Sequence, residues 1–304
     1  MYLGEDRFGL QPVWEALIEV YYEFAKVCDK HGLRYYVTDG NALGAVRHGG
    51  FIPWDDDLDV SMPRPDYEKF LGIADRELPD NLKIVRWQNT PEYNMLFAKV
   101  QETRREYVEG IEKKSKRMLS NGIYIDVFPI DGFPTSKFDL VVGRMQFSLL
   151  KTMLRFQCDK FTHQTTKGKI VWLSGMFLTP FFPLLWGHDR ILARMEKITR
   201  QIEYDKSPLT SRSWNDSGLL FYPPHPKEVW GKPTKQKFGD QLLPFPEDLR
   251  GFLEIRYGDY MKLPPEGCRR PTHQYSWRCP WWLGPTRHRK ISYNDMCRSH
   301  VLFG

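Results

Sequence analysis

"GFIPWDDDLDV", residues 50–60, sets Asp55, Asp56, Asp57 and Asp59 within five consecutive positions. Like charges at that density destabilise a folded chain unless water, basic side chains or a metal ion compensate them. An acidic, solvated surface turn is the plain alternative, but Phe51, Ile52 and Trp54 beside the cluster argue for a partly buried, shaped loop. Read as a strand, the stretch projects Asp57 and Asp59 from one face while Leu58 and Val60 enter the core. Two carboxylates on one face can share a hard cation such as Mg2+ or Mn2+, whose ligands are oxygens. Asp55, Asp57 and Asp59 also imitate the opening of a calcium-binding EF-hand loop. Val60 stands where that loop needs glycine, Asp66 where it needs glutamate, and Pro63 and Pro65 interrupt it.

Working outward, "NGIYIDVFPIDGFP" (residues 121–134) reads as another strand, with Ile123, Ile125 and Val127 buried and Asp126 on the other side. If the two strands are neighbours, Asp126 reaches the ion held by Asp57 and Asp59. Asp131, beside Gly132, reads instead as a strand-end residue capping a turn. Upstream, "TDGNALGAVRHGG" ends a strand at Gly40 and starts a helical turn near Asn41. Glycine permits close backbone approach there, and the free N–H groups of a helix start can hold phosphate.

Residues 11–31 place apolar side chains at three- and four-residue steps, an amphipathic helix closed by Gly32. "LRYYVTDG" is a short strand, and "RPDYEKFLGIADREL" a helix with Pro65 in its first turn. Residues 138–160 and 188–204 read as helices, and the proline-rich stretch 205–250 as irregular. Strands and helices mixed in the first 130 or so residues give an α/β or α+β sheet domain.

The glycine turn followed by an aspartate-hydrophobe-aspartate strand resembles the DNA polymerase beta-like nucleotidyltransferase superfamily. The longer stretch "GNALGAVRHGGFIPWDDDLDVSMPRPDYEKF" resembles one branch of it, the LicD family of bacterial phosphorylcholine transferases and animal fukutin-related proteins. "NGIYIDVFPIDGFP" and "YGDYMKLPPEGCRRPTH" (257–273) resemble that family's later blocks, so the likeness spans roughly residues 13–273. It implies an α+β fold with a nucleotidyltransferase-like mixed sheet core flanked by helices and a helical and irregular C-terminal half. The corresponding divisions are a catalytic core at 1–135, a family-specific region at 136–275 packed on it, and a tail at 276–304 outside the working fold.

The resemblance also implies a function. A substituted phosphate such as phosphocholine would pass from a CDP-activated donor to a sugar hydroxyl of a cell-surface glycan, lipid-linked or free. Asp57, Asp59 and Asp126 are then the metal ligands, Asp126 alternatively the base for the attacking hydroxyl, with Asp55 and Asp56 supporting them from behind. Gly40, Asn41, Arg47, His48 and Lys99 are the substrate-binding candidates: Arg47 as a diphosphate clamp, His48 as a proton relay, Lys99 on the strand "FAKV" as a phosphate contact. Trp54 would shape the pocket, and Arg270 and His273 would close it. Asp39, Gly40 and Asn41 stand where the family often carries Gly-Thr or Ser-Gly-Gly. Three other activities remain open: nucleotidyl transfer from an NTP with release of pyrophosphate, metal-dependent hydrolysis, and a non-catalytic role in glycan assembly.

The whole chain of 304 residues carries 44 Lys plus Arg against 38 Asp plus Glu, a formal charge of +6. That mild excess suits phosphorylated substrates or anionic lipid as well as an ordinary solvated surface. Nucleic acid is disfavoured, because no zinc-finger, homeodomain or RNP-type signature occurs. Five cysteines without a Cys-x-x-Cys pair read as reduced thiols. The spacing of Cys268, His273, Cys279 and His288 matches no common zinc pattern. An N-terminus without an apolar signal region places the protein in the cytoplasm. Ile170–Gly187 is a long uncharged run broken by Pro180 and Pro183 and flanked by basic residues, which suits core packing or peripheral contact at the inner membrane face better than a span.

Overall fold

A computed structural model describes residues 1–91, 93–104, 107–108, 122–158, 187–212, 224–271 and 276–277. Its frame is a mixed sheet with helices on it. Helix α1 (Gln11–Lys30) buries Val13, Leu17, Val20, Tyr21, Phe24, Val27 and Cys28 along one stripe, the spacing of a helix packed on a core. Gly32 ends it with φ +63°, a left-handed turn that a β-carbon would strain. Strand β1 (Tyr36–Val37), helix α2 (Asp39–Arg47), strand β2 (Asp59–Pro63) and helix α3 (Arg64–Glu77) follow, then β3 (Leu82–Val85), β4 (Ala98–Glu102), β5 (Tyr107–Val108) and β6 (Tyr124–Gly132). The sheet runs β1-β2-β6-β4-β3. Only β2 and β6 among these pairs are parallel.

Helices α4 (Lys137–Cys158) and α5 (His188–Thr199) pack on each other through Phe147, Leu150, Met153, Ile191, Leu192 and Met195, a cluster separate from the main core. Later elements return to the main core. Strands β7 (Leu209–Ser211) and β8 (His225–Pro226) extend the sheet from the end of β6, and β9 (Thr234–Phe238) and β10 (Gln241–Phe245) form a hairpin. Trp230, Phe238, Phe245 and Phe252 of helix α6 (Leu249–Tyr257) are packed with Trp14, Phe24 and Phe51 from the N-terminal part.

Three sequence expectations change. The stretch 205–250 is not irregular: its described residues hold four strands. The prolines misled because Pro244 lies in a two-stranded ribbon, where a missing N–H is tolerated, and Gly239 at φ +58° makes the tight turn. Helix α2 begins at Asp39, so Asp39 and Gly40 belong to the helix rather than to the strand before it. Asp131 caps no turn; it lies inside β6, paired with Ser211 of β7, and is buried. Ser276–Trp277, at the head of the tail, forms strand β11 against β5. The remaining tail, His273 and the run from Ile170 to Trp186 lie outside the described residues. Among the described residues no helix is long and apolar enough to cross a membrane.

Candidate functional site

The site is built on the parallel seam between β2 and β6. Their register sets Asp59 beside Asp126, and the Asp126 N–H donates to Leu58 O at 3.0 Å. In-register neighbours on adjacent strands point to the same side of a sheet. Leu58, Val60, Ile125 and Val127 alternate with them and are fully buried, so burial of the apolar side obliges both carboxylates to face the other way. Asp57 shares the partly exposed pattern of Asp59, whereas Asp56 is buried.

What fixes the acidic loop is Asn41. Its Nδ2 donates to Asp57 O at 3.0 Å and its Oδ1 accepts from the Asp59 N–H at 2.8 Å. The amide is fully buried and both ends are committed to the backbone of the aspartate strand. It serves that loop, where the sequence placed it on substrate. Gly40 has a similar use: a β-carbon there would lie 2.3 Å from Asp55 Oδ2, so glycine leaves room for that carboxylate. Trp14 Nε1 donates to Asp55 O at 2.7 Å, tying the loop to α1.

The charges are compensated by basic side chains from other strands and helices. Lys99, in register with Asp126 on β4, places Nζ 3.3 Å from Asp126 Oδ1 and 3.2 Å from the centre of the Tyr124 ring. Arg212, just past β7, pairs with Asp39 and lies 3.6 Å from Asp59 Oδ2. Arg256 of α6 holds Asp39 from its other oxygen at 2.7 Å. Asp39 is buried and has φ +52°, the only left-handed non-glycine residue among those described. Such a conformation costs on the order of 1–2 kcal/mol and persists where the surroundings over-determine it.

Asp39, Arg212 and Arg256 escaped the sequence reading. The one local signal was Asp39 at the start of α2, where the LicD-like pattern often carries small residues. Nothing in the spacing of 39, 212 and 256 announces that they meet.

Arg47 and His48 sit at the far end of α2. Arg47 donates to His48 Nε2 at 3.0 Å and to the carbonyls of Tyr260 and Lys262 at 3.2 and 3.4 Å. Its bonds fasten the segment after α6 to α2. Burial, and then the Arg47 charge, hold the His48 imidazole below its ordinary range. Trp54 packs edge-on against that ring at 5.8 Å. Arg270, meant to close the site, donates to Gly267 O at 2.7 Å within its own turn.

The carboxylate oxygens of Asp57, Asp59 and Asp126 are of the right chemistry for a hard dication. Among the described residues, however, no three His, Cys, Asp or Glu side chains are gathered closely enough to hold an ion. Closing such a set requires the carboxylates to turn toward one another, with Lys99 and Arg212 giving way.

Comparison with known proteins fits this geometry. Residues 32–137 match the LicD/FKTN/FKRP nucleotidyltransferase domain, the span that contains α2, β2 and β6. The chain is 26% identical over 256 residues to the lipopolysaccharide cholinephosphotransferase LicD of Haemophilus influenzae, covering 82% of this chain and 90% of that one. It is 30% identical over 111 residues to the human ribitol 5-phosphate transferase FKRP, covering 36% of this chain and 22% of that protein.

Proposed function

From a chain that carries a LicD-type nucleotidyltransferase domain and is a homologue of phosphate-group transferases, we propose a metal-dependent phosphotransferase. It moves a substituted phosphate, phosphocholine or a relative, from a CDP-activated donor to a sugar hydroxyl of a cell-surface glycan. The observation that carries this reading is the parallel register of Asp59 and Asp126, which sets two carboxylates of different strands side by side on one face of the sheet. Phosphoryl transfer needs charge neutralisation and in-line positioning more than covalent help.

Asp57 and Asp59 would hold Mg2+ or Mn2+ with Asp126, and the ion would neutralise the donor's phosphate oxygens. Asn41 keeps the two loop aspartates at a fixed spacing by holding the backbone on either side of Leu58. Asp55 and Asp56 steady the loop, Asp55 against Gly40. The acceptor oxygen forms a bond to the donor's outer phosphorus, the bridging P–O bond to the cytidylyl group breaks, and CMP leaves with the electron pair. The hydroxyl proton passes to Asp126 or to water. Lys99, 3.3 Å from Asp126, would meet a phosphate oxygen as charge shifts to the leaving group. A lipid-linked acceptor would bring the chain to the inner membrane face as a peripheral protein.

Product analysis tests the reading. With CDP-choline, CDP-ribitol or CDP-glycerol, Mg2+ and a glycan acceptor, one CMP should appear per phosphate group transferred. Release of pyrophosphate from CTP, or CMP formation indifferent to acceptor, would replace it with nucleotidyl transfer or hydrolysis.

A further inference from the structure

Arg212 stands beside the aspartates although nothing in their sequence motif calls for it. Its guanidinium lies 3.9 Å from the centre of the Phe128 ring. Phe128 is two residues along β6 from Asp126, so the two share a face of the sheet. Arg212 is therefore on the carboxylate side, stacked on Phe128, paired with Asp39 and 3.6 Å from Asp59 Oδ2. Its side chain is mostly buried, as are those of Asp39 and Arg256. A buried ion pair is a poor source of net stability, because desolvation offsets much of the attraction. Here it is assembled around a left-handed aspartate as well. Structure of that cost gathered at one spot points to use at the site rather than to stability.

We propose that Arg212 binds the diphosphate of the nucleotide donor and, in the ligand-free chain, competes with the divalent cation for Asp59. The proposal rests on the donor class inferred above. Asp59 would exchange Arg212 for a bound dication, which carries twice the charge of a guanidinium and prefers carboxylate oxygen. Asp39 and the Phe128 ring keep the released guanidinium at the edge of the metal site. There its planar fork of donors meets the phosphate oxygens that the cation draws in. Arg47, the sequence's nominee for this contact, is already bonded to two backbone carbonyls and His48.

The test is calorimetry on the full chain with two probes, Mn2+ alone and then CDP in saturating Mn2+. In Arg212→Gln, Mn2+ should bind several-fold more tightly because a competing charge is gone. CDP should bind on the order of tenfold to a hundredfold more weakly, since charge-assisted hydrogen bonds are lost. A residue needed only for folding would move both affinities the same way. Arg256 still holds Asp39 in that variant. If it nonetheless fails to fold, Arg212→Lys keeps the charge on Asp39 and should leave Mn2+ affinity near wild type while weakening CDP.

Equal CDP binding by wild type and variant would overturn this inference alone, and so would a parallel loss of both ligands. A wild-type chain that binds Mn2+ but neither CDP nor CDP-choline would overturn the donor class and this inference together.

Discussion

Asp126 and Asp131 lie on the same strand and meet opposite fates. Five residues apart on β6, they fall on opposite faces of the sheet if the strand alternates regularly. Asp131 is 2% exposed and takes a two-pronged grip from Arg64, Nε to Oδ1 and one Nη to Oδ2, both at 2.7 Å. Burial alone would depress the Arg64 pKa, but the Asp131 charge outweighs it and raises it. Asp126 is partly exposed and meets the Lys99 ammonium through one oxygen at 3.3 Å. A bidentate arginine pair sealed under α3 is a fixed joint. A single lysine contact to a partly exposed carboxylate can be exchanged for a ligand. Burial and partner geometry, more than residue type, separate a structural aspartate from one placed for chemistry.

The largest effect that could break this contrast is on turnover. Removing divalent ions with EDTA should abolish transfer and leave the fold unchanged, with activity restored by added Mg2+ or Mn2+. Full turnover in chelator would mean that Asp57, Asp59 and Asp126 do not work through a metal. Next comes the sealed pair. Asp131→Asn takes the two-pronged partner from the buried Arg64 charge, leaving it only the longer contacts to Glu68 and Glu196 at 3.2 and 3.8 Å, and should cost about 3 kcal/mol in chemical denaturation. The protein that remains folded should still turn over at near the wild-type rate. A loss of activity without a loss of stability would erase the distinction between the two aspartates.

Asn41→Ala sharpens the comparison from the loop side. It deprives Asp57 O and the Asp59 N–H of their partner, which should cost about 1–3 kcal/mol. Mn2+ affinity should fall with it, because the two carboxylates lose their fixed spacing; unchanged metal affinity would place the ligands elsewhere.

A smaller effect comes from His225, stacked on Phe252 at 4.9 Å. Burial, then the nearby Arg256 charge, push its pKa down from 6.5 to about 4. The unfolded chain therefore binds a proton between those values that the native chain refuses, so stability falls as pH drops through the window from about 6.5 to about 4. The loss from His225 by pH 5 should be about 2 kcal/mol. In His225→Gln, denaturation curves at pH 7 and pH 5 should differ by correspondingly less than in wild type; an identical acid loss would assign it to other groups.

Much of this was legible in the chain itself. The alternation in "DLDV" and "IYIDV" announced that Leu58, Val60, Ile125 and Val127 are buried, because a slip of one residue would turn them out of the core. Helices α1 and α3 showed the same clarity, their apolar stripes being local. Asp131 was misread because Asp-Gly signals a turn, and only the pairing of β6 with β7 keeps that dipeptide in a strand. The basic side of the site was illegible for a related reason. Arg212 and Arg256 reach Asp39 only after β7 and α6 have packed against the first part of the chain, and contacts across such distances leave no periodic trace.

The central claim is that Asp126, brought beside Asp59 by the β2–β6 seam, acts with it in phosphate transfer. It is tested most directly by measuring turnover and thermal midpoint together for Asp126→Asn. Turnover should fall on the order of a hundred- to a thousandfold with the midpoint close to wild type. Turnover within a few-fold of wild type in a folded Asp126→Asn protein would contradict it.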